Sequence, residues 1–296
     1  MPTLRDIQKR INSVQSTRTI TRTMEMVATA KIRRVTERVQ AATPYSKAML
    51  ETLGDVSRTS NEHPLLLAHD ETKSVLAVVI ASDRGLAGGF NSNVFRAADR
   101  YVRRQQGNGV DVKLVACGRK TIAYLKYRGY PSALEYAGLS ADPTFHQAQE
   151  IATLAIDAYV NGKIDELVLF YNHARNAADQ DLIIEQVLPI DINLITEALG
   201  LEEEQESRLY GAYEFEPEAD ALLAELLPAY VRSRIYYALL DSAAAEQGAR
   251  RKAMKAATDN ATEMIETMDR VYKRARQSAI TTEIIEIVSG AAALEE

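Results

Sequence analysis

The sequence predicts a long antiparallel two-helix coiled coil built from both termini, with a small α/β domain inserted between them. Three observations predict this fold class. Residues 1–53 contain no glycine, and residues 249–289 contain neither glycine nor proline. Both stretches space apolar residues alternately by 3 and 4, which is the pattern of a coiled-coil seam. Between them, valine-rich runs alternate with amphipathic stretches.

The two predicted seams differ in regularity. The C-terminal seam runs without interruption: Met254, Ala257, Ala261, Met264, Met268, Val271 and Ala275. The N-terminal seam has two parts, Leu4, Ile7, Ile11 and Val14, then Ala28, Ile32, Val35, Val39 and Ala42. Between these parts Ile20, Met24 and Val27 predict a slip of the heptad register. A helix of roughly 50 residues is about 75 Å long, which is too long to be buried within a compact domain.

Charge is distributed unevenly along the chain. Residues 1–40 carry a net charge of +6 and residues 249–280 of +4, although the whole chain carries −6. The remaining residues therefore carry −16. Basic helical ends on an acidic chain indicate an acidic partner around the coiled coil, while an ordinary solvated helix face is the alternative.

The middle of the chain alternates predicted strands and helices. The strands are predicted at residues 74–82, 110–117, 164–171 and 182–190, and the helices at 93–106, 119–128 and 144–160. This alternation predicts parallel strands and a small Rossmann-like α/β domain. The predicted domains are residues 1–57 (N-terminal helix), 70–195 (α/β) and 208–290 (C-terminal helix). Pro217 and Pro228 are expected at the entry to the last helix, and Pro228 is expected to bend the helix near its start.

The composition argues against several classes of protein. No window approaches the roughly 18 apolar residues of a membrane span. The coiled-coil pattern begins at Leu4, so we expect no signal or transit peptide. Cys117 is the only cysteine, and the four histidines lack the spacing of zinc ligands, so neither a metal nor a cofactor is expected.

A glycine-rich run, Ser82–Asn91, follows the first predicted strand. A turn between a strand and a helix can bind phosphate through backbone N–H groups, so a nucleotide-binding α/β enzyme is one hypothesis. The spacing, however, matches neither of the common phosphate-binding motifs. The alternative is a tight structural turn in which small residues allow close packing of the backbone. Its key residues are Asp83, Gly85, Gly88 and Gly89.

Three motifs resemble those of the gamma subunit of F-type ATP synthase, in its bacterial form. The first is Met24–Lys31 (MEMVATAK), and the second is Ser82–Asn91 (SDRGLAGGFN), with Ala87 where cysteine is common. The third is C-terminal and comprises Glu246–Gln247, Ala253–Ala261, Arg276–Ile284 and Glu286–Ala291. The resemblance covers the whole chain in the same order. The cysteine pair of the chloroplast form is absent, which argues against thiol control.

This resemblance implies a non-catalytic subunit, the central rotor shaft of the synthase. In that family the coiled coil lies inside a ring of alpha and beta subunits. The α/β domain lies near the c-ring of the membrane sector, with the epsilon subunit alongside. Proton flow turns the c-ring, and the turning shaft drives the catalytic beta subunits through different nucleotide affinities. The implied location is the cytoplasmic face of the bacterial inner membrane, reached only through the complex.

The resemblance also implies contact residues. Five residues of the two helices are expected to contact beta: Met24, Arg250, Arg276, Gln277 and Thr281. Arginine suits such contacts because its guanidinium makes directional, charge-assisted hydrogen bonds. Three aromatic residues are expected at the base, facing the c-ring and epsilon: Tyr210, Tyr213 and Phe215.

Other functions fit parts of the pattern. A coiled-coil scaffold or nucleic-acid-binding protein would explain the basic helices, but the acidic isoelectric point opposes binding to nucleic acid. An α/β enzyme would explain the glycine-rich run. Loss of affinity with rising salt would identify the first, and nucleotide titration the second. Co-purification with alpha and beta subunits that carry ATPase activity would identify the rotor.

Overall fold

A computed structural model describes residues 3–56, 63–139, 142–176, 179–192 and 218–295, with side chains through residue 289. The chain divides into two compact units. One comprises residues 1–28 and 251–296, and the other residues 29–250. The two terminal helices, α1 (Leu4–Val56) and α5 (Ala219–Glu295), contribute to both units.

Helix α1 begins with a reciprocal cap. The hydroxyl of Thr3 accepts the backbone N–H of Asp6 at 3.2 Å, while the Asp6 carboxylate accepts the backbone N–H of Thr3 at 3.1 Å. These bonds satisfy backbone donors that have no partner within the helix. Hydrogen bonds from Thr3 also lower the pKa of Asp6, because they favour its charged form.

Helix α5 begins before Pro228 and continues through it, so this proline lies inside the helix near its start, as expected. Pro217 lies outside the described residues. Proline removes one backbone hydrogen bond from a helix interior. Here the side chains of Leu227 and Val231 on either side are fully buried, so packing of the helix offsets that loss.

The first unit is a two-helix coiled coil. Ile7 and Ile11 of α1 are buried against Ile265 of α5. Further along α1, the hydroxyl oxygens of Thr21 and Thr258 lie 2.8 Å apart. Because residue numbers rise along α1 as they fall along α5, the helices are antiparallel. Ile7, Ile11 and Val14 pack together with α5 residues 265 to 275, and the predicted antiparallel order is confirmed.

The predicted C-terminal seam is correct at every seventh residue but wrong at two of the three positions between. Met254, Ala261 and Met268 face the seam, but Met264 and Val271 are 49% and 51% exposed. Ile265 and Tyr272 take their places. After Ala261 and after Met268, a large side chain with apolar surface stands at both the third and the fourth position: Met264 and Ile265, then Val271 and Tyr272. The spacing alone therefore does not show whether Met264 and Val271 or Ile265 and Tyr272 face α1.

The slip predicted in the N-terminal seam does not occur. Ile20 and Val27 are 60% and 51% exposed, whereas Thr21 and Ala28 are buried. The heptad that starts at Ile7 continues through polar residues, and Arg18 and Glu25 lie half-buried within it. The apolar residues alone do not reveal that the heptad continues, because the pair Thr21 and Thr258 occupies a seam position where two hydrophobic residues are usual.

The second unit contains a five-stranded sheet with the strand order β3-β2-β1-β4-β5. The strands are β1 (Ser74–Ile80), β2 (Asp111–Cys117), β3 (Ser132–Tyr136), β4 (Glu166–His173) and β5 (Asp181–Leu188). The helices between them are α2 (Phe90–Gly107), α3 (Arg119–Arg128) and α4 (Phe145–Val160). Strands β1 to β4 are parallel, and β5 runs antiparallel to β4.

Both faces of the sheet are covered. Along β1, Val75 and Val79 pack with α2 and α3, while Leu76 and Val78 pack with α4, α1 and α5. Alternate side chains of a strand point to opposite faces, so a central strand covered on both sides must be apolar throughout. The sequence of β1 meets this requirement, and its prediction is confirmed.

Two features of the sheet differ from the prediction. Strand β3 was not predicted, because it is a five-residue edge strand with only partly buried side chains. Strand β5 was expected to be parallel like the others. Only residues 174–180 connect β4 to β5, and so short a connection cannot carry a crossover helix.

Candidate functional site

The glycine-rich turn, Ser82–Asn91, is held by the chain's own polar groups. The carboxylate of Asp83 accepts the backbone N–H groups of Arg119 at 3.0 Å and Gly138 at 2.7 Å. Ser82 is fully buried and donates its hydroxyl to the carbonyl of Arg84 at 2.5 Å. The side-chain oxygen of Asn91 accepts the backbone N–H of Ser82 at 3.0 Å.

The contacts of the turn favour the structural interpretation. The side chains of Ser82, Asp83 and Asn91 bond to backbone groups of the turn and of the segments beside it. The carboxylate of Asp83 within the turn would also repel a phosphate, which disfavours the nucleotide-binding enzyme. The placement of Asp83, Gly85, Gly88 and Gly89 fits that interpretation, and Gly88 adopts a positive φ of +57°.

Gly118, which the sequence analysis did not identify, lies against the backbone just before this turn. Gly118 has a φ of +100°, and a Cβ built on it would lie 2.2 Å from the carbonyl oxygen of Ala81. Only glycine can therefore let the start of α3 approach the end of β1 so closely. The neighbouring Cys117 is fully buried, and burial together with the charge of Asp83 raises its pKa to about 12. Its thiol is neutral at physiological pH.

Arg250 is joined to this turn. Its guanidinium lies 2.5 Å from the carboxylate of Glu246, one turn earlier on α5, and 3.3 Å from the carbonyl oxygen of Gly85. Both side chains are buried. Ala245 and Ala249 of α5 pack against Ala81 and Phe90 beside these bonds. The beta contact expected for Arg250 remains a prediction, and the structure gives this side chain a bond within its own unit.

The residues expected to contact beta at the C-terminal end lie beyond the seam. Arg276, Gln277 and Thr281 are all exposed, and the Thr281 hydroxyl donates to the carbonyl of Gln277 at 2.9 Å. Arg276 makes no ion pair or hydrogen bond with any of the described residues. Every side chain from residue 276 to 289 is exposed, including five large apolar ones: Ile280, Ile284, Ile285, Ile287 and Val288.

Met24 lies at the margin of the coiled-coil seam. Its side chain is half-buried, between the exposed Ile20 and Val27 on the same side of α1. The spacings of 4 and 3 place these residues in one apolar strip. The strip begins at the seam and reaches the surface of the coil.

The remaining predictions concern other parts of the chain. Tyr210, Tyr213 and Phe215 lie outside the described residues. Within the described ranges, no group of three or more His, Cys, Asp or Glu side chains is placed to hold a metal ion. None of the described helices is long and apolar enough to cross a membrane.

The comparisons with known proteins establish the family. A family model described as ATP synthase matches residues 3–294. The sequence is 43% identical to the ATP synthase gamma chain of Pelotomaculum thermopropionicum over 297 residues, with both chains covered completely. The chain belongs to the gamma chain family of ATP synthases. The gamma chain of Parafrankia sp. is 42% identical, with 98% of this chain and 97% of that chain covered.

Solved structures of two mitochondrial ATP synthases contain chains of similar fold. The central stalk and c-ring structure of the Tetrahymena thermophila mitochondrial ATP synthase contains a chain 27% identical to this one. The TM-score is 0.58, with 80% of this chain and 99% of that chain covered. A chain of the Euglena gracilis mitochondrial ATP synthase, 19% identical, shares the fold with a TM-score of 0.64 and coverage of 98% and 94%. As a gamma chain, the protein is a non-catalytic subunit of the central stalk.

Proposed function

We propose that this gamma chain is the shaft that couples rotation of an ion-driven c-ring to the catalytic beta subunits. The observation that carries the proposal is the exposed end of α5, residues 276–289, which continues beyond the coiled-coil seam. An exposed helix with five large apolar side chains requires a surrounding partner in the assembled state. A ring of alpha and beta subunits would supply that surface.

The coupling follows from differences in contact. A shaft without catalytic groups can change nucleotide affinity only by contacting the conformers of beta differently. The described surface offers two kinds of contact. Arg276 and Gln277 can form directional hydrogen bonds to a loop of one beta subunit. The strip of Ile20, Met24 and Val27 can form apolar contacts. Each would favour the beta conformer that it fits.

The two ends of the shaft would serve different partners. Tyr210, Tyr213 and Phe215 are proposed to face the c-ring and the epsilon subunit, on the resemblance of this region to the family. Arg250 is proposed to meet the acidic lever of beta; because its side chain is only 9% exposed, that contact would require its bonds to Glu246 and Gly85 to open. The complex would lie at the cytoplasmic face of the bacterial inner membrane, and this chain would be peripheral.

Rotation of a labelled complex tests the proposal. Tyr127 on α3 is 85% exposed, so a Tyr127→Cys variant can carry a bead. The buried Cys117 thiol, with its pKa raised to about 12, does not compete for the label. The chain should co-purify with alpha and beta subunits, and ATP should turn the bead in one direction. Failure to assemble, or a bead that stays fixed during ATP hydrolysis, would refute the proposal that this chain is the rotating shaft.

A further inference from the structure

A segment of α5 within the second unit is buried on every side. All residues from 238 to 250 are buried, although five of them are polar: Asp241, Ser242, Glu246, Gln247 and Arg250. We call this segment the collar. Ala243 and Ala244 pack against Val35 of α1, and Ala245 and Ala249 pack against the region of the glycine-rich turn. A helix buried all round is normally hydrophobic all round, so the polar residues here require an explanation.

Asp241 uses both carboxylate oxygens to hold the sheet. One accepts the backbone N–H of Ala174 at 3.0 Å, and the other accepts the ring Nδ1–H of His173 at 2.7 Å. His173 is the last residue of β4. The Asp241 side chain is only 6% exposed and that of His173 is 39% exposed, so the carboxylate end of these bonds lies largely out of water.

Two further polar bonds join α5 to the same domain. Two turns before Asp241, the guanidinium of Arg234 lies 2.8 and 2.5 Å from one carboxylate oxygen of Glu185 on β5. Burial disfavours the charge of Arg234, but Glu185 outweighs burial and raises the pKa of Arg234. Beyond Asp241, Arg250 reaches the carbonyl of Gly85. The helix is thus bonded to β5, to the end of β4 and to the turn after β1.

These bonds lie where the apolar contacts of α5 are small. Before Asp241, large side chains such as Leu227 and Ile235 are buried in the core, but from residue 243 to 249 the buried apolar side chains are all alanines. Alanine contacts change little when a helix turns about its own axis, because the side chains are small and nearly alike. Hydrogen bonds are directional, and a turn of one residue, about 100°, would break those of Asp241. The carboxylate would then be buried without a partner, which is strongly unfavourable. Buried ion pairs add little net stability, so specificity of position is their better explanation.

We propose that Asp241 is the positioning residue that fixes α5 in rotation against the sheet, so that torque passes between the helix and the α/β domain. This role rests on the proposed rotary function: the collar would be the place where force passes between α5 and the α/β domain. Torque applied to the domain tends to turn it around α5. The collar is where the bonds of Asp241 oppose that motion.

The chain offers a close chemical match as a control. The carboxylate of Asp165 accepts Nδ1–H of His69 at 2.6 Å and the backbone N–H groups of Lys73 and Ser74 at 2.7 and 2.8 Å. Like Asp241, it joins a histidine ring to a strand backbone. It lies at the start of β4 and makes none of its described bonds to α5. Asp165→Ala therefore weakens the domain without touching the collar.

The test compares Asp241→Ala with Asp165→Ala in assembled complexes that carry the bead on Tyr127→Cys. Asp241→Ala removes both hydrogen bonds of this carboxylate. Loss of even one charge-assisted hydrogen bond should raise the fraction of molecules in which α5 has turned away from its position against the sheet by roughly tenfold to a hundredfold. Asp241→Ala should hydrolyse ATP normally without load but turn the bead more slowly as viscous load increases. Asp165→Ala should show the load response of the unsubstituted complex.

Three outcomes would overturn or redirect this inference. A normal load response of Asp241→Ala, or an equal loss in Asp165→Ala, would refute the positioning role. If Asp241→Ala does not fold, Asp241→Asn replaces it, because the amide keeps an oxygen for the N–H of Ala174 and loses the charge that holds His173. A normal load response of Asp241→Asn would then refute the role. A bead that does not turn even in the unsubstituted complex would refute the proposed shaft instead.

Discussion

Replacing Arg276 with alanine separates a coupling role from a structural one. Arg276 is exposed and makes no ion pair or hydrogen bond with the described residues, and alanine is the better helix former. The free energy of unfolding should therefore change by less than about 0.5 kcal/mol. In the complex, the substitution removes one charge-assisted contact to beta, worth roughly 1.5–3 kcal/mol. Multi-site ATPase turnover at saturating ATP should fall by about tenfold or more.

A second exposed cation provides the control. Lys273 lies three residues earlier on the same helix and is exposed as well, but no beta contact is expected for it. Lys273→Ala should leave turnover nearly unchanged. Slow single-site hydrolysis should be unaffected in both variants, because the catalytic groups belong to the alpha and beta subunits. Equal turnover of the two variants would show that the charge of Arg276 is only part of a solvated face.

Three other substitutions test separate parts of the structure. Met24→Lys should retain ATP hydrolysis but weaken proton pumping in membrane vesicles, because a new ion pair with beta would favour one rotary state; normal pumping would contradict this. Thr21→Val removes the 2.8 Å bond to Thr258 and should cost about 1 kcal/mol in urea unfolding. Thr23→Val on the exposed face should be neutral, and equal effects would exclude a role for the buried pair. Gly118→Ala should destabilise the domain by about 3 kcal/mol or more in thermal unfolding, because its Cβ would lie 2.2 Å from a carbonyl oxygen. Gly85→Ala has open space around it, and an equal loss there would refute the steric argument.

The coiled coil could be predicted from spacing, but its exact contact face could not. The 3–4 alternation fixed a helix pair, and the antiparallel order followed from the domain between the two helices. The spacing left Met264 and Ile265 as equal candidates for the same level of the seam. Their difference depends on the opposite helix, where Val14 packs beside Ile265. Thr21 was missed because its pairing with Thr258 is visible only when both helices are in place.

The candidate site was predictable to a similar degree. Local sequence indicated a tight turn at Ser82–Asn91, because glycines follow a buried strand. It did not show that Asp83 accepts a backbone N–H from α3, since Arg119 lies far away in sequence. The bond between Arg250 and Gly85 crosses an even longer separation. The pairing of Arg250 with Glu246 has the i, i+4 spacing of a helix pair, so that signal was present in the sequence.

The exposed apolar end of α5 also affects how much of this subunit a cell can make in excess of its partners. Ile284, Ile285, Ile287 and Val288 are each more than half exposed on one short piece of helix. An apolar surface of this kind promotes self-association until a partner covers it. Surplus copies of the chain would therefore aggregate or be degraded. Synthesis of this subunit has to keep pace with that of the subunits that enclose it.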